Sequence, residues 1–154
     1  MEKQVFTPAV PYRDPKAAMA WLEQAFGFEV TMAIDGPPEA PEMCHYEMSY
    51  AGQGRIMLGG EWAESVCSPA SVGAVNTQSI HVQLPGGIDE HCARARAAGA
   101  VIAAEPQDQF YGDRTYRALD LEGHHWTFGS HVRDVTRAEA EAAIGQPIMA
   151  TSWQ

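Results

Sequence analysis

Apolar residues keep two periods along the chain, and the two alternate in the same order twice. Gln4 to Val10 alternates apolar with polar, as a half-buried strand does. From Asp14 to Gly27 (DPKAAMAWLEQAFG) the spacing changes to three and four, so that Ala18, Trp21, Leu22, Ala25 and Phe26 share one face of a helix. Asp14 is placed to cap that helix, Pro15 suits its first turn and Gly27 its end. Gln78 to Leu84 alternates again, and Ile88 to Gly99 (IDEHCARARAAG) repeats the helical plan. Asp89 and Glu90 stand in its first turn, Arg94 and Arg96 in its last, each sign matching the helix dipole. The stop glycines, Gly27 and Gly99, lie 72 residues apart.

Each helix is followed by a β-leaning stretch, Phe28 to Ile34 and Ala100 to Ala104, and then by a turn-rich gap. Two further strands close each half: Met43 to Tyr50 with Arg55 to Gly60, and Arg114 to Leu119 with His124 to Gly129. The pattern predicts an α+β fold of two βαβββ modules, residues 1–62 and 78–131, within a single domain. Residues 63–77 read as a polar linker. Thr136 and Glu139 form a capping-box pattern, which predicts a short helix through Ile144 in a tail spanning 132–154. Pairing of the modules within one chain or between two is left open at this level.

The 154 residues suffice for one core without disulfides or a structural metal. A net charge of −10 repels phosphate backbones and anionic lipid heads, so neither nucleic acid nor a membrane is an expected partner. The opening MEKQVFTPAV has no apolar run of signal-peptide length, and a cytoplasmic location is expected. Cys44, Cys67 and Cys92 are odd in number and never in CxxC form, which suggests reduced structural thiols. Common nucleotide-binding, zinc-protease and serine-hydrolase motifs do not occur.

The paired modules, the helix segment DPKAAMAWLEQAFGFEV and the stretch YGDRTYRALDLEGHHWTFG together resemble the vicinal oxygen chelate superfamily of glyoxalases, bleomycin-resistance proteins and dioxygenases. The resemblance covers nearly the whole chain. It implies curved half-barrels of four strands, a cleft for a small molecule, often a divalent metal, and commonly a homodimer.

Metal-binding relatives carry their ligands on the first and last strands of each module. The resemblance puts those slots at Thr7, Met57, Ser79 and Thr127, none of them a His or a carboxylate. Hydroxyls and a thioether do not make a site for a divalent ion, so no metal is expected there, and chemistry that needs one is not carried over. Strand alternation sets His81 on the face of Ser79 and His125 on the face of Thr127. With Glu47 or His45 these imidazoles would supply an acid–base pair or a relocated divalent metal site, or else hydrogen-bond neighbouring strands.

Tyr111, Arg114 and Tyr116 cluster about the YGDR turn, where Arg114 would meet an anionic ligand group or pair with Asp113 or Asp120. Tyr46 and Tyr50 share one face of their strand and Glu47 the other; Trp21, Phe26, Trp126 and Phe128 are in phase with a core. Two functional readings follow. The favoured one is a metal-independent small-molecule binder similar to the antibiotic-sequestering members. The other is a lyase or isomerase of the glyoxalase type acting through His81, His125 and Glu47.

Overall fold

The computed structural model describes residues 4–153. The first half holds β1 (Ala9–Pro11), α1 (Pro15–Phe26), β2 (Glu29–Ile34), β3 (His45–Tyr50) and β4 (Gln53–Gly59). The second repeats it as β5 (Ser79–Gln83), α2 (Ile88–Ala97), β6 (Val101–Asp108), β7 (Asp113–Leu119) and β8 (His125–His131), and α3 (Arg137–Ile144) follows. Each half forms an open four-stranded sheet, in the orders β1-β4-β3-β2 and β5-β8-β7-β6. These are one permutation written twice, with the first and last strands of each half paired in parallel, the first at a sheet edge and the last inside it.

Local chemistry accounts for the helices. Asp14 Oδ1 accepts from the Ala17 amide at 3.0 Å, Pro15 occupies the first turn, and Gly27 closes α1 in the left-handed region. Pro15, Ala18, Leu22, Ala25 and Phe26 are its buried residues, a three-and-four spacing that points one stripe at the sheet. In α3 the Thr136–Glu139 capping box forms in both directions.

Strand limits differ from expectation at two places. The first strand begins at Ala9 rather than near Gln4, because Pro8 has no amide to donate; its carbonyl makes the first rung, accepting from Met57 N at 2.9 Å. At the other end, β6 runs through Asp108 rather than stopping at Ala104. Register shifts after Ile102 and Ala104 let Pro106 sit in this strand, which is an edge and can lose a ladder donor.

Both helices cover one face of their sheets and pack against each other, so the two halves share a core. Phe26 at the end of α1 reaches Phe128 and Trp126 of β8, with ring centroids 4.7 and 5.7 Å apart. His91 of α2 lies beside it, buried, with Nε2 2.8 Å from the Phe26 carbonyl and Nδ1 2.7 Å from the Tyr116 hydroxyl. Polar ties cross the same seam. Buried Asp120 accepts from Tyr12 Oη at 2.6 Å, from Trp126 Nε1 at 3.0 Å, and from the amides of Glu122 and His124. Arg94 donates to the carbonyls of Glu23 and Gln24, satisfying the exposed end of α1. Within the chain, then, the modules pack on each other through their helices.

Residues 63–77, expected as a polar linker, are strapped to the seam. Ser68 is fully buried; its amide donates to Glu61 and its hydroxyl to Glu122, which also accepts from the amides of Arg13 and Asp14. Gly112, in the YGDR turn, has φ +103, and a Cβ there would collide with the Arg133 carbonyl oxygen.

Candidate ligand groove

A strand in such a sheet gives alternate side chains to the helices and to the uncovered face. In β8, Trp126 and Phe128 are buried against the helices, which leaves His125, Thr127 and His131 on the open face. In β5 the same alternation opens Ser79, His81 and Gln83, and in β4 it opens Arg55 and Met57. Buried Tyr46 and Met48 turn inward on β3, so His45 and Glu47 face out.

Register then assembles rungs across each open face. In the second half one rung reads His81, Thr127, Arg117, Ala104. Its counterpart in the first half reads Ala9, Met57, Glu47, Met32. The modules also touch where Gln78 Nε2 donates to the Ala9 carbonyl, and there residues 6–8 and 78–81, Thr7, Pro8, Ser79 and His81 among them, line a groove of about 430 Å³.

The two open faces differ in chemistry. On the first, Met57 and Met32 flank Glu47, which is held in a polar cluster with His45 and Arg55. Its Oε1 lies 3.0 Å from His45 Nε2 and its Oε2 3.5 Å from Arg55 Nη1, while Arg55 also donates to Thr7 Oγ1 at 3.3 Å. The His45 contact, helped by Arg55, holds the Glu47 carboxyl below the usual range, so it is ionised at neutral pH. On the second open face His81 lies over Gly129, where a Cβ would come within 3.2 Å of its Nε2, and it pairs with Gln83 Oε1 at 3.0 Å.

Three of the expected ligand-facing residues lie elsewhere. Tyr116 turns toward the helices, is 1% exposed and meets His91; burial pushes its hydroxyl pKa well up, so it belongs to the core and not to the groove. Arg114 shares that face by strand parity. It pairs with Asp89 of α2 and Asp108 of β6, each at 2.9 Å, rather than with Asp113, Asp120 or anything in the groove. Tyr111 lines a separate hollow of about 610 Å³ with Gln83, Asp113, His131, Asp134 and Trp153. There His131 sits 2.8 Å from Asp134 and 3.5 Å from Asp113, contacts that raise its pKa.

Arg117 was not singled out from the sequence, although the signal was present. Once Tyr116 is assigned to the core, the next residue on the strand must face the other way.

The residues at the family's metal slots do not fit a divalent ion. Thr7, Ser79 and Thr127 offer neutral hydroxyls and Met57 a thioether, where such an ion needs imidazole or carboxylate donors. The relocated set is also dispersed: His81 and His125 are on the sheet of the second half and Glu47 on that of the first. Among the described residues no three His, Cys, Asp or Glu side chains gather to hold a metal.

A model of the glyoxalase/bleomycin resistance protein/dioxygenase superfamily matches residues 5–128. The chain belongs to this superfamily. It resembles TioX from Micromonospora sp. ML1, at 29% identity and a TM-score of 0.62, over 86% of this chain and all of that one. A superfamily member from Sphaerobacter thermophilus superimposes with a TM-score of 0.66 at 20% identity, covering 84% of this chain and 98% of that one. TnmS3, an antibiotic binding protein from Streptomyces sp. CB03234, does so at 0.62 and 19%, covering 85% and 98%. These last two speak to fold alone. An uncharacterised protein of Mycobacterium bovis is 36% identical over 77 residues, half of this chain and 49% of that protein. The match thus spans about half the length of this curated relative. No helix among the described residues is long and apolar enough to cross a membrane.

Proposed function

We propose that this member of the superfamily binds a small planar organic molecule in the groove where its two modules meet, without a metal and without reacting with it. The observation that carries the reading is that groove of about 430 Å³, in which Thr7, Ser79 and His81 offer directional polar groups and Phe6, Pro8 and Ile80 apolar contact. That combination holds a ligand by complementarity, while the slots that would support Lewis-acid chemistry have lost their donors. The antibiotic-binding role of TnmS3, which shares the fold, supports the same reading.

The lyase or isomerase reading has less support. His81 is engaged with Gln83, and Glu47 is already paired with His45 and Arg55.

Thermal unfolding against a panel of aromatic antibiotics and other planar natural products tests the proposal. At a hundredfold excess over Kd a bound compound adds about 2.7 kcal/mol, a rise in Tm of roughly 5–10 °C. Ser79→Arg should remove that rise by filling the groove. If no compound stabilises the protein and it turns over a carbonyl substrate, the reading is wrong. Retention of stoichiometric zinc, manganese or nickel that is lost in His81→Ala or His125→Ala would instead favour the enzyme.

A further inference from the structure

Among the residues lining the groove His81 alone is ionisable, and which of its ring nitrogens carries the proton decides what it can recognise. A chain of contacts along the open face of the second sheet makes that choice. Asp113 Oδ2 accepts from Gln83 Nε2 at 3.1 Å, while Oδ1 stands 3.5 Å from His131 Nδ1, whose own Nε2 is 2.8 Å from Asp134. A carboxylate accepts hydrogen bonds and has none to give. The Gln83 amide must therefore turn its nitrogen to Asp113 and its oxygen the other way, where Oε1 lies 3.0 Å from His81 Nε2. An amide oxygen only accepts, so Nε2 holds the proton. In the neutral ring Nδ1 then bears a lone pair, and it has no hydrogen-bond partner among the described residues.

The ring is also seated. A Cβ on Gly129 would meet His81 Nε2 at 3.2 Å and Cε1 at 3.3 Å, with the Thr115 methyl 3.2 Å away, so the space above this glycine is filled by the imidazole edge and that methyl. Gln78 repeats the logic on the same groove. Its Nε2 donates to the Ala9 carbonyl at 3.2 Å, which leaves its oxygen as the unengaged end. The hydroxyls of Thr7 and Ser79 can give or accept, but His81 Nδ1 and the Gln78 oxygen can only accept.

We propose that the groove selects its ligand by a hydrogen-bond donor, a ring N–H or a phenolic O–H, given to His81 Nδ1, and that Gln83 and Asp113 are positioning residues that hold the imidazole in its Nε2–H form; this rests on the binding reading above. A ligand that brings only an acceptor, such as an ether or furan oxygen, sets a lone pair against a lone pair and strips Nδ1 of water without replacing it.

Two NMR measurements test this at about pH 8, where an ordinary imidazole is neutral. Long-range proton–nitrogen correlation reports which ring nitrogen is protonated. His81 should be wholly the Nε2–H tautomer in the wild type, and Gln83→Leu should admit the second tautomer. Titration with indole and with benzofuran, the same planar frame with oxygen in place of N–H, should show indole bound about threefold to tenfold more tightly. His81→Phe should abolish that ratio. A mixture of tautomers in the wild type, a ring that stays wholly Nε2–H in Gln83→Leu, equal binding of the two compounds, or an indole preference that survives His81→Phe overturns the inference and leaves the binding reading standing. Failure of both compounds to shift the groove's signals removes the two together.

Discussion

Replacing Tyr12 by Phe removes one oxygen from the centre of the molecule. That oxygen donates to Asp120 at 2.6 Å, and burial, reinforced by the Asp120 carboxylate, raises its pKa so far that it stays a donor at every working pH. The Tyr12→Phe variant leaves Asp120 with an indole and two amides. A hydrogen bond to a charged group contributes about 1.5–3 kcal/mol, so its Tm should fall by roughly 3–12 °C. An unchanged Tm would show that water or another donor replaces the hydroxyl. Side-chain direction was the least legible property at this scale. Arg114, Tyr116 and Arg117 lie within four positions, and a cluster near a turn gives no parity until one member is known to be buried. Once the Tyr116 ring is seen packed on Phe128, the assignments of Arg114 and Arg117 follow.

Helices were legible because their ends carry specific chemistry: an Asp cap and a left-handed Gly for α1, a capping box for α3. Strand ends carry no such markers, and both the late start of β1 and the long run of β6 depend on partners remote in sequence. The element α2 also carries a pH dependence. His91 is buried among Phe26, Phe128, Tyr50 and Tyr116, and this desolvation, with Arg94 nearby, lowers its pKa. The unfolded imidazole, with a pKa of about 6.5, therefore binds a proton more readily than the folded one. Its contribution to stability is complete above that value and is lost as pH falls toward the folded pKa. Urea unfolding at pH 7 and at pH 5 should show a larger loss for the wild type than for His91→Gln. Parallel losses would place the acid sensitivity elsewhere.

At the scale of the whole molecule, duplication was visible in the sequence as two helices with equally spaced stops, and the sheets repeat one strand order. Which module pairs with which was not visible, because a helix face that packs within a chain has the same composition as one that packs between chains. The open faces and the free edges of both sheets also remain uncovered. Met32 and Ile34 on β2 are 44% and 55% exposed and Val101 on β6 is 61% exposed, which is costly apolar surface for a solitary chain. A homodimer covering these edges is the expected state in solution, and sedimentation equilibrium should return about twice the 16.8 kDa chain mass. A mass of one chain would refute it.

Phe26 is supplied by the first half, yet its ring lies against Trp126 and Phe128 of the second. A gene cut between codons 63 and 77 would therefore yield two fragments, one with a plug and no socket, the other with a socket and no plug. Mixed together they should reconstitute the native protein, and kept apart each should aggregate.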